Sequence, residues 1–242
     1  MIVSMRDWND GDLDAEFEQR LDDLLAELCP EWRTPDLPEP YRSDERFRAY
    51  ERRNAKRIQL GDLLTARPEL AVAVADRVLD TIACDEDVSF NKQLIYPVLN
   101  AIGRRAVQRY LISVIDAGPA HKKVCAVRAW YWSQVTLVYG SVHDLRERRP
   151  TEASRAADDE VADLRGQYRM ACLAAFVACE HPPTREWLAR GFLLKETHYP
   201  ANLHDLVARA RAIAEADPDR YKDLLAKDDD GTNMAQIGSD TP

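Results

Sequence analysis

Three aromatic rings stand side by side in VRAWYWSQV (127–135): Trp130, Tyr131 and Trp132, with Arg128 two positions before the first. Aromatic and Arg side chains together are the types that carry binding energy in protein–protein recognition. On a helix turning about 100° per residue, Val124, Val127, Tyr131, Val135 and Val138 gather into a core stripe. Trp132, Cys125, Arg128 and His121 lie on one flank with Tyr139, and Trp130, Ala126 and Leu137 on the other. The three rings then span roughly 200° of helix surface, too much for one interface to bury. The pattern predicts a central helix clamped between two neighbours, each ring packing on a different one. Trp132, beside Arg128, is the ring left to meet a partner.

Cations extend this candidate surface. Arg104, Arg105, Arg109, Lys122, Lys123 and Arg128 fall within 25 residues, with Asp116 the only acid among them. On stacked helices such residues form a strip suited to an acidic protein segment, a phosphate or a nucleic-acid backbone. The plainer expectation is a solvated face answered within the chain. Ten acidic residues lie between Asp7 and Glu31, and this acidic arm is expected to cover the strip. The candidate partner-binding set is therefore Arg104, Arg105, Arg109, Lys122, Arg128 and Trp132. In ERFRAYERRNAKR (Glu45 to Arg57) acids and bases alternate, which predicts i,i+4 pairing on an exposed helix.

Other chemistries find less support. His121 and Cys125 are four apart and Cys179 and His181 two apart, but no third and fourth ligand accompany them, so no metal is expected. There is no G-x-S-x-G, P-loop or G-x-G-x-x-G, and no catalytic residue or cofactor is assigned. Asp158–Asp159–Glu160 and Asp228–Asp229–Asp230 lie in polar stretches where carboxylates stay solvated. His198 and His204 flank THYPANLH and are expected to cap helices or face solvent.

The elements that position these residues are helical. Of 242 residues, 45% are hydrophobic and 31% charged, only nine are Gly, and alternating β-type runs are scarce. DLDAEFEQRLDDLLAEL (Asp12 to Leu28) is amphipathic, and PEWRTPDLPEPYR (Pro30 to Arg42) must be an extended connector. Ser43 is expected to cap SDERFRAYERRNAKRIQL, and Pro68 to open PELAVAVADRVLDTIAC. FNKQLIYPVLNAIG, RRAVQRYLISVIDAG and PAHKKVCAVRAWYWSQVTLVYG read as three further helices, and Thr151 to Cys179 as one long one. Three short helices follow, for about nine or ten in all: an all-α fold, bundle or stacked solenoid.

AVQRYLISVIDAGPAHKKVCAVRAWYW resembles a HEAT repeat, with a turn at Gly118–Pro119 and a second helix carrying Val127, Arg128 and Ala129. LIYPVLNAIGRRAVQRYL is similar in another register, with Pro97 where HEAT first helices bend, and YRMACLAAF looks like a further second helix. The turn Asp of these repeats is absent, and no clean period of about 40–47 residues runs along the chain. The resemblance implies an irregular HEAT-like (armadillo-type) α-solenoid that binds a protein through its concave face. It implies as an alternative a nucleic-acid-binding protein of the DNA glycosylase type, for which Asp116 is the nearest carboxylate.

Three parts are expected: an acidic helix and connector (1–42), one HEAT-like domain (43–227) and a disordered tail (228–242). The net charge is −9, yet Arg42 to Arg128 carries 16 Lys+Arg against 11 Asp+Glu. Acidic ends thus surround a mildly basic middle, a poor profile for general nucleic-acid binding. The acidic cluster alone supports a further alternative, an inhibitor or immunity-type protein acting by charge mimicry. Five scattered cysteines suit a reducing compartment. With no signal peptide and no membrane-length apolar run, the expectation is a cytoplasmic, non-catalytic protein with a protein partner.

Overall fold

A computed structural model describes residues 10–35 and 44–229. Among them the fold is all-α, with thirteen α-helices, three single 3-10 turns and no strand. In order these are α1 (Asp10–Leu28), α2 (Glu45–Ala66), α3 (Pro68–Ala73), α4 (Ala75–Ile82), α5 (Lys92–Ile102), α6 (Arg104–Ala117) and α7 (Ala120–Ser133). There follow α8 (Val142–Arg146), α9 (Glu152–Asp159), α10 (Ala162–Ala178), α11 (Pro182–Leu188), α12 (His204–Ala216) and α13 (Lys222–Asp229). None is long and apolar enough to cross a membrane. All five cysteines are free thiols.

The count exceeds nine or ten because two expected helices are each broken at a valine and because the short α8 was not expected. Val74 (φ −111°, ψ 12°) separates α3 from α4, and Val161 (φ −114°, ψ 10°) separates α9 from α10. Both valines sit in the sparsely populated bridge region, which interrupts the helix while backbone hydrogen bonds continue on either side. Val74 donates to Leu70 O and accepts from Val78 N, each at 3.0 Å. The cap of α2 is Asp44, whose carboxylate accepts from the amides of Arg46 and Phe47; Ser43, the expected cap, lies outside the described residues. So does the expected tail beyond Asp229.

The chain forms two compact units, Met1–Tyr110 and Leu111–Pro242, dividing within α6. In the first unit α5 packs on α2, α3 and α4, while α1 packs on α2 and α4. The acidic helix is thus an integral layer of this unit. Leu13, Phe17, Leu21, Leu24 and Leu25 of α1 are all buried, the 3.6-residue stripe its sequence displays. They share a core that includes Leu60 and Leu64 of α2, Ile82 of α4, and Leu94, Ile95 and Val98 of α5. Gly61 is required where α2 meets α5, because a Cβ there would collide with the backbone carbonyl of Gln93. Gly103, at φ +85°, ends α5 in a conformation that favours glycine.

In the second unit α10 packs on α11 and α12, α7 on α11, and α13 on α12. Phe176 of α10 is wholly buried, meeting Phe192 at 5.1 Å and Tyr221 at 5.3 Å between ring centroids. Both contacts are edge-to-face, the arrangement ring quadrupoles favour.

Candidate functional site

Helix α7 carries the aromatic triplet, and it is buried almost all round. Every residue from Val124 to Trp130 is buried. Trp130 stacks on Tyr168 of α10, with centroids 4.0 Å apart and planes 6° from parallel. Only the last turn emerges. Tyr131, assigned to the core stripe by its spacing, is 48% exposed, while Trp132 is half-buried and meets Tyr131 edge-on at 4.8 Å. The correction has a simple cause: a helix enclosed on all sides has no single stripe, so angular position stops predicting burial.

The expected continuation of α7 to Gly140 does not occur. Gln134 turns to φ −69°, ψ 156°, and the β-branched Val135, Thr136 and Val138 that follow disfavour helix. Ser133 Oγ closes the end by donating to Trp130 O at 2.8 Å. The chain runs extended to Val138, whose amide donates to Ser154 Oγ (3.0 Å) and whose carbonyl accepts from Thr151 N (2.8 Å). Ser141 then caps α8, accepting from Asp144 N at 3.1 Å, and Arg149 N returns to Asp144 O at 2.8 Å. Anchored in this way, the segment displays Val138 (55% exposed), Val142 (68%) and Leu145 (54%). Val142 and Leu145 share a face of α8. Arg146, Arg148 and Arg149 beside them are exposed. From Pro119 to Arg149 the sequence holds six Lys+Arg against two Asp+Glu, inside a chain of net charge −9.

The six sequence-based candidates are divided between the units. Arg104, Arg105 and Arg109 stand on the first half of α6 in the first unit; Arg109 is exposed and the other two half-buried. Lys122, Arg128 and Trp132 stand on α7 in the second. Lys122 is half-buried. Arg128, expected at the centre of an open face, is only 6% exposed, its guanidinium carbon 4.4 Å from the Trp187 ring centroid. Lys123 donates to the carbonyls of Ile115 and Asp116, neutralising the C-terminal end of α6. Burial lowers its pKa, with the Asp116 charge acting in the opposite sense. Asp116 is exposed, so it does not supply the inward carboxylate of the glycosylase-like alternative.

The acidic arm covers a different set of cations from the one expected. Glu18 binds Arg52 (2.5 Å) and Lys56 (2.7 Å), Asp22 also binds Lys56 (2.7 Å), and Asp14 binds Arg53 (2.8 Å). Arg52, Arg53 and Lys56 of α2 are therefore answered by α1 and not by i,i+4 partners; Arg48–Glu45 is a local pair, spaced i,i+3. Burial pushes the Glu18 carboxyl up, but hydrogen bonds from Arg52 and Lys56 outweigh it and hold its pKa below the ordinary value.

Sequence patterns gave no sign of Asp85. It is 1% exposed and receives a two-pronged grip from Arg57 at 2.8 and 2.9 Å, while Arg57 also binds Asn54 and lies 5.0 Å from the Phe17 ring centroid. Burial pushes the Asp85 carboxyl up against the pull of Arg57 and the Asp87 amide. Closed in by its own partners, this carboxylate is a structural clamp between α2 and the turn after α4. Among the described residues no group of three or more His, Cys, Asp or Glu could hold a metal ion.

Compared with protein-family models, curated proteins and solved structures, the chain matches none.

Proposed function

We propose that this chain is a non-catalytic, HEAT-like helical protein that binds a protein partner through one surface of its second unit. The observation that carries the reading is the set of exposed apolar side chains Tyr131, Val138, Val142 and Leu145, bordered by Arg146, Arg148 and Arg149. Isolated exposed apolar residues are ordinary, but four within fifteen residues on a hydrogen-bonded segment are the composition of an interaction surface. Arg and aromatic residues at its margin suit an interface core with a charged rim. Arg128 and Trp132, first expected to make contact themselves, act in this reading as the support beneath Tyr131. Five free thiols accord with a reducing, cytoplasmic setting. The inhibitor alternative loses ground because Asp14, Glu18 and Asp22 are already engaged by α2.

The test is affinity capture from a native lysate with the wild type and a Val142→Asp/Leu145→Asp variant of equal thermal stability. The recovered protein is then purified and titrated against both. Loss of about tenfold or more in affinity, the scale of removing one good anchor, is the expected result. Equal affinity for both, or recovery of nucleic acid alone, overturns the reading.

A further inference from the structure

Trp187 of α11 carries two guanidinium groups. Arg128 lies 4.4 Å from its ring centroid and Arg190 4.1 Å, so the two charges can be no further apart than those distances combined. The first is buried and the second exposed. Among the described residues no carboxylate lies within ion-pair distance of Arg190. A third cation, the half-buried Lys227 of α13, lies within electrostatic reach of Arg190. Burial lowers its pKa first and the Arg190 charge adds to that, opposed by Asp223 one turn back on the same helix. Two guanidinium groups thus meet on one indole from separate elements, α7 and the 3-10 turn Ala189–Gly191, and the Lys227 charge of α13 is felt at the second of them. Like charges held this close repel, and an indole face relieves that only in part. Since no carboxylate among the described residues pairs with Arg190, an anion beside its open edge would relieve that repulsion.

We propose that Arg190 and Lys227, backed by the Arg128–Trp187 stack, bind carboxylates of an acidic stretch of the protein partner. This rests on the reading that the second unit binds a protein. Arg190 presents planar N–H donors that match a carboxylate, and stacking on Trp187 pre-orders them. Tyr131 lies one turn beyond Arg128 on α7, so the cluster adjoins one of the exposed apolar residues, Tyr131. Cations on three elements, with the open one at the surface, suit an extended polyanion better than a small ion enclosed on all sides. A partner with apolar anchors and nearby Glu or Asp residues meets both features.

The experiment uses the full chain labelled with 15N, following the indole N–H signal of Trp187, which a Trp187→Phe variant assigns. Octaglutamate, octalysine and inorganic phosphate are titrated in turn at low ionic strength, where such contacts are least screened. Octaglutamate is expected to shift the Trp187 signal saturably and octalysine to leave it unmoved. Arg190→Glu/Lys227→Glu is expected to weaken the response about tenfold or more, with the milder Arg190→Gln in between. A response unchanged in the double variant, or no response in the wild type, overturns the proposal. Phosphate acting as strongly as octaglutamate also overturns it, in favour of a small-anion site. Val142→Asp/Leu145→Asp is expected to keep the octaglutamate response. If it does while partner capture is unaffected by those changes, the partner-surface reading fails and the anion site stands; if capture is lost but Trp187 ignores octaglutamate, only the present proposal fails.

Discussion

The residue that most constrains the first unit is Arg57, whose guanidinium binds Asp85 and Asn54 and approaches the face of Phe17. A buried ion pair is costly to form, since both charges leave water, but removing one partner strands the other. Arg57→Ala is therefore expected to cost about 3–5 kcal/mol of stability. Replacing both partners by apolar residues, as in Arg57→Met/Asp85→Leu, is expected to cost much less. Chemical denaturation of the three proteins checks this, and a double variant as unstable as Arg57→Ala would contradict it. Nothing in the sequence marked the pair: Asp85 sits in a CDED turn that reads as solvated, and only the packing of α2 and α4 against α5 encloses it.

At the scale of elements, α1 is held by an apolar face and by a row of ion pairs to α2. The apolar face was legible in the sequence; the target of the acids was not, because spacing along the chain does not say which helix comes alongside. Glu18 makes this row pH-sensitive, and the sign follows from its lowered pKa. A carboxyl whose folded pKa lies below its unfolded value stabilises the protein fully above the unfolded value, 4.5 here. That stabilisation is lost as pH falls through the folded value. Melting temperature is thus expected to drop as the pH is lowered below that range, with Glu18→Gln showing a smaller drop than wild type. High salt at neutral pH should lower the wild type slightly, since pairs such as Arg53–Asp14 are partly open to solvent.

For the whole molecule, the compact units divide inside a continuous helix, while the stretch from Gln134 to Pro150 within the second unit has only the short α8 as regular structure. Helical hydrogen bonds protect the long α6, whereas Arg146 ends the five-residue α8 and Arg148 and Arg149 lie in the exposed turn after it, where local opening costs less. Trypsin is therefore expected to cut at those three residues before it cuts at Arg104, Arg105 or Arg109, as mass spectrometry of early fragments would reveal. Prior cleavage within α6 would contradict the described fold. A bound partner on the proposed surface should slow the cuts in the loop.

The sequence by itself determined that this is an all-α protein. Helix-forming composition and 3.6-residue apolar spacing are local properties, and Leu13, Phe17, Leu21 and Leu24 are buried as their spacing requires. It also marked α7 as a helix with more than one neighbour, although of its three rings only Trp130 is buried against another helix. Only the tertiary structure decided which ring is open. Burial depends on what covers each position, and α10 and α11 cover Trp130 and Arg128 while leaving Tyr131 bare. The same holds for charge: the sequence counts cations and anions, but the fold decides which of them meet. It set the acids of α1 against α2, and it brought Arg128 and Arg190, 62 residues apart in sequence, to one tryptophan.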